Sequence, residues 1–276
     1  MFAAKKPEFA AIDLTPRIGT EIKIEIPTLL SGAVAGDIRA LMEERGVIAF
    51  REINLSDEQQ VAFTKTLGNI VDEGVNNIYK VTMDTGENAQ AEYLKGAFYW
   101  HIDGTMSDKP ILASIMSSRK LAPSGGETDF SNTYAAYDDL PESEKKALDK
   151  LKVVHMFETS QRYVTPEPSF AQLQDWQRYK PHTLPLVWKH RSGRKSLVLG
   201  CTASHVEGMD LREGWALLTR LRDYATQPQF VYRHEWKLGD MVIWDNTGTM
   251  HRALPYALDS GRMMHRTKLQ GEESFA

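Results

Sequence analysis

Residues 244–253 read WDNTGTMHRA, and residues 262–266 read RMMHR. Apolar residues that favour strands lie on both sides of the polar turn at 245–248. A loop with Pro255 and Gly261 then interrupts the pattern. This part of the chain is predicted to contain three short strands: Met241–Trp244, Thr249–Ala253 and Arg262–Leu269.

The rest of the chain has a similar pattern of short strands. Seven further segments have strand-forming residues between turn residues: Ile78–Met83, Ala97–Ile102, Ile111–Ser117, Val153–Phe157, Leu184–Lys189, Ser196–Leu199 and Phe230–Lys237. Turns with glycine and aspartate, such as those at 192–194 and 238–240, join several of them. Many short strands joined by such turns favour a sandwich or barrel over alternating βαβ units. We therefore expect a mainly β fold with flanking helices.

Four helical segments are expected beside the strands. Apolar residues at helical spacing predict helices around residues 34–42, from Ser56 to about Leu67, at 134–151 and at 211–225. Gly46 is a predicted C-cap, and Ser56 with Gln59 forms a capping box. Residues 158–182 show no clear period and contain Pro166 and Pro168, so they are predicted to form a long loop, which we interpret as a lid.

Bulk properties limit the classes of function. The 276 residues are 42% hydrophobic and 25% charged, and no linker divides them, so we expect one domain over residues 1–276. A net charge of -4 gives no reason to expect a nucleic-acid partner. The single cysteine, Cys201, excludes an internal disulfide framework and suits a reducing cytosol. No apolar run reaches the roughly 20 residues of a membrane span, and residues 1–7 lack a signal peptide's apolar core, so we expect a cytoplasmic protein.

Two H-x-D/E patterns are candidates for part of a metal site. Given 8 histidines and 37 acidic residues, about one such pattern is expected by chance, so spacing alone does not choose between them. His101 and Asp103 follow aromatic, strand-forming residues, which would place both side chains on one face of a strand. Gly104 would then let the backbone turn away. His205 and Glu207 lie just before a predicted helix and fit a surface helix entry better. With His251, His101 and Asp103 make a 2-His-1-carboxylate set, which is typical of non-haem Fe(II).

Two arginines follow His251 in the predicted strand Arg262–Leu269. Arg262 and Arg266 share one face of such a strand with Met264, while His265 and Thr267 share the other. Arginines on an inner face are costly unless an anion lies beside them. These arginines therefore suit an oxo-acid cosubstrate. The alternative is an edge strand on which both arginines face solvent.

The order and spacing of these motifs closely resemble the taurine dioxygenase family. The matching segments are His101-x-Asp103-Gly104-Thr105, Gly125-Gly126-Glu127-Thr128, Trp244-Asp245-Asn246-x-x-x-Met250-His251-Arg252-Ala253 and Arg262-x-x-x-Arg266. This family of Fe(II)- and 2-oxoglutarate-dependent oxygenases includes aryloxyalkanoate herbicide dioxygenases and alkylsulfatases. The resemblance runs from about residue 30 to 270 and implies a double-stranded β-helix, or jelly-roll, cupin-like core.

The resemblance also implies roles for individual residues. His101, Asp103 and His251 would hold Fe(II), and Thr128 with Arg262 would bind the distal carboxylate of 2-oxoglutarate. Arg266 matches an arginine that contacts the anionic group of the primary substrate in several members. The implied reaction uses dioxygen to hydroxylate a small anionic substrate, such as an aryloxyalkanoate, sulfonate or sulfate ester, and gives succinate and CO2. Members commonly form dimers or larger assemblies, which makes a homo-oligomer an expectation here.

Five points depart from this assignment or compete with it. Ala97 occupies a position where some members have a polar pocket residue, and the segment Val75–Tyr79 does not match closely enough to assign pocket residues. Arg266 has an alternative role limited to the iron-bound end of the cosubstrate. At the level of function, the alternatives are a jelly-roll module that binds a metal or small ligand without turnover, and a cupin oxygenase without a cosubstrate.

Overall fold

The computed structural model describes residues 9–275 and contains fifteen strands and eight α-helices. The strands are β1 Ala10–Asp13, β2 Thr20–Lys23, β3 Val47–Phe50, β4 Tyr79–Thr82, β5 Ala113–Lys120, β6 Thr128–Asn132, β7 Lys152–His155, β8 His182–Pro185, β9 Val187–Lys189, β10 Lys195–Leu197, β11 Ala203–Val206, β12 Val231–His234, β13 Met241–Asp245, β14 Thr249–Ala253 and β15 Met263–Leu269. The helices are α1 Ile26–Leu30, α2 Ala35–Arg45, α3 Asp57–Leu67, α4 Thr133–Asp138, α5 Glu142–Leu148, α6 Phe157–Val164, α7 Phe170–Trp176 and α8 Leu211–Ala225. Two 3-10 helices cover Ala91–Phe98 and Pro228–Phe230.

Two sheets form the core of the fold. The larger one has the strand order β1-β2-β3-β13-β5-β15-β4, and the smaller one has the order β12-β6-β14. All pairings within them are antiparallel except that of β2 with β3. Two small sheets, β10-β9 and β11-β7-β8, lie outside this pair.

Alternating residues of β13 face the two sides of the larger sheet. Met241 and Ile243 pack in one apolar cluster with residues of α2 and α3. Val242 and Trp244 pack in another with Phe130 of the smaller sheet. The strand is buried along its whole length because it lies between a helical layer and the second sheet. Two sheets closed over a shared apolar core are the arrangement expected for a double-stranded β-helix.

Three predicted helices, now α2, α3 and α8, are confirmed. Gly46 ends α2 with a positive φ of 72°, and both hydrogen bonds of the Ser56–Gln59 capping box are present at the start of α3. Helix α8 covers residues 211–225, as predicted. The predicted helical segment 134–151 is divided into α4 and α5, because Pro141 interrupts it and becomes the N-cap of α5.

Two predictions of local structure are wrong. Residues 97–102 do not form a strand: Ala91–Phe98 is a 3-10 helix, the Tyr99 amide donates to the Gly96 carbonyl, and His101 alone makes an isolated bridge. Residues 158–182 are not a long loop, because α6 and α7 occupy most of them. A capping box of Ser169 and Gln172 begins α7, and this signal was present in the sequence.

Within residues 9–275, no helix is both long and apolar enough to cross a membrane. The segment 1–7, on which the expected absence of a signal peptide rests, lies outside the described residues.

Candidate metal centre and its charged surroundings

Main-chain pairing brings the two candidate histidine ligands together. His251 lies in β14, opposite Phe130 of β6. The His101 amide donates to the His251 carbonyl over 3.0 Å, and the His251 amide donates to the His101 carbonyl over 2.9 Å. Their ring centroids are consequently 4.1 Å apart. The structure brings these two residues together, although an isolated bridge and not a regular strand positions His101.

Glycines allow the chain to turn closely around this bridge. Gly104 has a φ of +91°, and a Cβ atom there would lie 2.8 Å from the Pro110 Cα atom. Gly200 has a φ of +124°, and its Cβ would lie 2.9 Å from the His101 Cα atom. Both positions favour glycine because an L side chain would be strained and would clash with backbone. This turn follows directly after Asp103, whose carboxylate lies near the two imidazoles.

The geometry of the three side chains fits a single metal ion. One potential ligand atom from each of His101, Asp103 and His251 can be chosen so that all lie within 4.8 Å of one another. The Nε2 atoms of His101 and His251 lie 3.7 and 4.0 Å from carboxylate oxygens of Asp103. These separations are too long for hydrogen bonds but place three donors around one point. The Nδ1–H group of His101 donates to the Tyr99 carbonyl over 2.8 Å. This leaves the lone pair of Nε2 free to bind a metal ion.

Local electrostatics keep the ligands in the forms that bind metals. Burial lowers the pKa of His251 well below its ordinary value, which leaves the imidazole neutral. Burial tends to raise the pKa of Asp103, but the positive charge around it, that of Arg266 included, outweighs burial and lowers the pKa overall. A neutral imidazole and an ionised carboxylate are the protonation states required for coordination.

A chain of hydrogen bonds supports Asp103 from behind. Ser114 Oγ donates to Asp103 Oδ2 over 3.2 Å and accepts from Asn246 Nδ2 over 3.2 Å. Trp244 Nε1 in turn donates to Asn246 Oδ1 over 3.0 Å. The motif at 244–246 therefore orients the carboxylate through Ser114, a residue that no local sequence pattern marks.

Arg262 is a buried cation without an anionic partner. Its residue exposure is 4%, and none of the ion pairs formed among residues 9–275 includes its guanidinium. Its Nη2 atom donates to the Gly126 carbonyl over 3.0 Å, and its guanidinium carbon lies 4.8 Å from the Tyr256 ring centroid. Burial lowers its pKa, an effect that Tyr256 partly offsets. Such a residue is costly to bury unless an anion joins it.

Thr128 lies two residues after Gly126, at the start of β6, and is buried. Its Oγ1 atom accepts a hydrogen bond of 2.9 Å from Trp236 Nε1. Because the tryptophan fills a lone pair, the hydroxyl hydrogen of Thr128 is left to donate to another group. Sequence patterns predicted neither β6 as a strand nor the contact with Trp236.

Arg266 lies next to the candidate metal centre, among further charges. Strand β15 is paired with β5 on one side and β4 on the other, so the edge-strand alternative for the two arginines is wrong. Arg266 Nη1 lies 3.8 Å from Asp103 Oδ2, and its Nε lies 3.6 Å from Glu73 Oε1. Lys268 Nζ lies 2.8 Å from the other oxygen of Glu73. Sequence reasoning missed both Glu73 and Lys268.

The second H-x-E pattern does not contribute to a comparable group. Among the described residues, His101, Asp103 and His251 make the one set of three or more potential ligands that converge. His205 lies in β11, and Glu207 follows this strand at an exposed position. The preference for His101 and Asp103 over His205 and Glu207 agrees with this geometry.

Comparisons with known proteins place the chain in one family. The family model described as "Taurine catabolism dioxygenase TauD, TfdA family" matches residues 10–268. An alpha-ketoglutarate-dependent 2,4-dichlorophenoxyacetate dioxygenase of Burkholderia sp. (strain RASC) is 35% identical, and the match covers 92% of this chain and 91% of the relative. An alpha-ketoglutarate-dependent sulfate ester dioxygenase of Pseudomonas putida is 30% identical over 98% of this chain and 93% of its own. The crystal structure of AAD-2 in complex with Mn(II) and N-oxalylglycine superposes with a TM-score of 0.84 at 31% identity, covering 97% of this chain and 99% of that one.

Proposed function

Because the chain belongs to the TauD, TfdA family and is an Fe(II)- and 2-oxoglutarate-dependent dioxygenase, we propose that His101, Asp103 and His251 hold its iron. We propose further that Thr128 and Arg262 bind the distal carboxylate of 2-oxoglutarate. The core is a jelly roll, and we assign it to a single domain over residues 1–276. Membership of this family contradicts the two alternatives of a module without turnover and an oxygenase without a cosubstrate.

The observation that carries the site assignment is the buried, unpaired guanidinium of Arg262. It lies against Gly126, close in the chain to a Thr128 hydroxyl whose hydrogen is available. A carboxylate placed there would receive two parallel N–H bonds from arginine and one O–H bond from threonine. The carboxylate would also neutralise a charge that is otherwise buried alone. We propose that a dicarboxylate anchored at one end in this way reaches the metal ligands with its other end.

The donor set at 101, 103 and 251 suits ferrous iron, since three ligands on one face leave room for a bidentate cosubstrate and dioxygen. Bound iron supplies the activation of dioxygen that drives decarboxylation of 2-oxoglutarate and hydroxylation of the substrate. The protein's own part is to orient the ligands and to hold the anions. Ser114 fixes Asp103, the Tyr99 carbonyl fixes His101, and Arg262 anchors the cosubstrate.

The proposed substrate is a small organic anion, either an aryloxyalkanoate, a sulfonate or a sulfate ester. Two relatives described above are named for 2,4-dichlorophenoxyacetate and for sulfate esters. Arg266 supports an anionic head group because it is the cation nearest to Asp103, at 3.8 Å. Its alternative role at the iron-bound end of the cosubstrate would leave this head group without a partner. A homo-oligomeric state and a location in the cytosol remain predictions, as does a lid formed by residues 158–182.

The test measures succinate release from purified protein with Fe(II), ascorbate and varied 2-oxoglutarate. Arg262→Ala should raise the KM for 2-oxoglutarate by roughly 100-fold, because the anchor of the distal carboxylate is lost. Arg233→Ala is the matched control, since that arginine pairs with Asp129 and is half exposed. An unchanged KM in Arg262→Ala would show that the cosubstrate binds elsewhere. A panel of aryloxy acids, sulfonates and sulfate esters, scored by stimulated succinate release, identifies the substrate.

A further inference from the structure

Four charged side chains of alternating sign form a row that begins at the metal centre. Asp103 is followed by Arg266 at 3.8 Å, Arg266 by Glu73 at 3.6 Å, and Glu73 by Lys268 at 2.8 Å. Each of the four side chains is between 15% and 18% exposed. Charges this far from solvent are weakly screened, so the balance of sign within the row matters for any ion that enters.

The polypeptide holds the row in place from two directions. Arg266 and Lys268 are two residues apart in β15 and therefore project from the same face of the strand. Glu73 reaches them from the segment between α3 and β4, which is tied to β15 by a 2.9 Å bond from the Val71 amide to the Lys268 carbonyl. The ring of Tyr79 lies under both cations, 4.8 Å from the Arg266 guanidinium carbon and 5.9 Å from Lys268 Nζ. The cluster is therefore part of the sheet and not a chance surface contact.

Glu73 forms a hydrogen-bonded ion pair with Lys268 but no hydrogen bond with Arg266, so the Arg266 guanidinium can still bind an anion. Arg266 Nε and Glu73 Oε1 are both buried, and among residues 9–275 neither atom has a hydrogen-bond partner. The two atoms are 3.6 Å apart, which is beyond hydrogen-bond length. Lys268 instead bonds the second oxygen of Glu73. Arg266 is thus placed by a nearby carboxylate without being neutralised through a close ion pair.

Charge balance then indicates what the site accepts. On the proposed function, the two charges of a ferrous ion are balanced by Asp103 and by the keto-side carboxylate of 2-oxoglutarate. The remaining cluster has two cations, Arg266 and Lys268, and one anion, Glu73. It carries one positive charge, which a substrate with one negative charge neutralises. A second negative charge on the substrate would remain uncompensated near the carboxylate of Glu73.

We propose that Glu73 is a specificity-determining residue that, together with Lys268, limits the substrate subsite to one net positive charge and so selects monoanionic head groups over dianionic ones. This inference rests on the proposed function, because it takes Arg266 as the residue that faces the substrate anion. It assigns roles to two residues outside the ligand and cosubstrate sets. It also separates two classes of compound with similar shape, the sulfate monoesters and the phosphate monoesters.

The test uses hexyl sulfate and hexyl phosphate at about pH 8, where the phosphate ester carries close to two negative charges. Calorimetric titration of protein loaded with Mn(II) and N-oxalylglycine gives the affinity for each ester. The wild-type protein should bind the sulfate about tenfold more tightly than the phosphate, which corresponds to one uncompensated charge in a partly screened site. Glu73→Gln keeps the shape of the side chain and adds one net positive charge. It should remove or reverse this preference.

Two further variants make the outcome specific to charge. Lys268→Met should weaken the binding of both esters, and of the phosphate more strongly. The double variant Glu73→Gln/Lys268→Met restores one net positive charge and should restore the preference for the sulfate. A merely structural role of the pair would predict additive losses for both esters and no such recovery. Glu87→Gln, in an exposed pair with Lys80, is the matched control and should leave the ratio unchanged.

Circular dichroism and N-oxalylglycine affinity of each variant establish that the fold and the cosubstrate site are intact. An equal affinity of the wild-type protein for both esters, including no measurable binding of either, overturns the inference. So does a ratio that Glu73→Gln leaves unchanged. Failure of the wild-type protein to bind N-oxalylglycine with Mn(II) would instead contradict the proposed function itself.

Discussion

Ser114 connects the buried motif at 244–246 to Asp103. At the residue scale, such a hydroxyl matters because it decides which way a carboxylate points before any ion arrives. Ser114 can donate one hydrogen and accept from another group, and it does both, towards Asp103 and from Asn246. Substituting a residue that hydrogen-bonds a metal ligand commonly lowers the affinity for the metal ion, although the residue itself does not touch the ion.

Ser114→Ala should therefore weaken Mn(II) binding by roughly 10-fold to 100-fold, because Asp103 loses its orienting donor. The affinity can be measured by calorimetry in the presence of N-oxalylglycine. Ser118→Ala lies on the same strand, and its hydroxyl bonds the Lys237 carbonyl, so it serves as control with unchanged affinity. Equal Mn(II) affinity in Ser114→Ala and wild type would remove Ser114 from the support of the centre.

Trp236 supports the proposed cosubstrate site in a comparable way. Its indole N–H occupies one lone pair of the Thr128 hydroxyl, which directs the hydroxyl hydrogen elsewhere. Trp236→Phe keeps most of the ring but removes this donor. The net value of one hydrogen bond is about 1 kcal/mol, so the KM for 2-oxoglutarate should rise about fivefold while kcat changes little.

Steady-state succinate release separates the two constants for Trp236→Phe. Trp215→Phe is the control, because its indole N–H bonds the Ser204 carbonyl on an exposed helix face. A fall in kcat without a change in KM would point to a general packing defect in place of a role in cosubstrate binding.

At the scale of secondary-structure elements, strong periodicity and capping predicted helices well. Helices α2, α3 and α8 begin and end near the expected residues because their caps are encoded locally. The segment around residues 91–102 could not be assigned in this way. Its aromatic residues favour strands, yet they pack in a 3-10 helix against neighbours distant in sequence, such as Phe98 against Tyr256. Residues that act through tertiary contacts, Glu73 and Ser114 among them, left no local signal.

The turn after β12 is held to β3 by one buried carboxylate. Asp240 accepts hydrogen bonds from the amides of Glu52 and Lys237, from Arg51 and from the ring of His234. Burial tends to raise its pKa, but these donors, His234 foremost, lower the pKa to about 2. The unfolded chain therefore takes up a proton at this group at a higher pH than the folded protein does.

The free energy of unfolding should consequently fall as the pH is lowered from about 4 towards 2, and Asp240 should account for part of that fall. Asp240→Asn removes this contribution and should destabilise the protein at neutral pH by roughly 3 kcal/mol, because it breaks a buried charged network. Urea unfolding across this pH range measures both effects. Asp139→Asn, in a half-exposed pair with Arg17, should change stability by less than about 1 kcal/mol. An equally steep acid dependence in Asp240→Asn would contradict the assignment.

At the scale of the whole molecule, the candidate centre lies between the two sheets that close the core. A ligand bound there contacts β14, β15 and the turn at 103–105 at once, so it should stabilise the folded state as a unit. Mn(II) with N-oxalylglycine at about 100 times its Kd should add roughly 2.7 kcal/mol and raise the unfolding temperature. Thermal scans with Mn(II) alone, and with both, measure the two contributions.

The same scans on Arg262→Ala separate the two sites. This variant should keep the increment from Mn(II) and lose most of the increment from N-oxalylglycine. Loss of both increments would mean that Arg262 maintains the centre as a whole and does not act on the cosubstrate alone.

The paired backbones of His101 and His251 also bear on how the protein is made. These residues are far apart in the sequence, and their backbones pair with each other. Their imidazoles therefore meet only after the sheets have closed, and closing so long a loop has a large entropic cost. The nascent chain has no complete binding site until position 251 has followed position 101 out of the ribosome and the two sheets have paired. Iron would then bind an already folded core and would not nucleate it, in contrast to zinc fingers. A chelator should strip the ion and leave the β-helix folded.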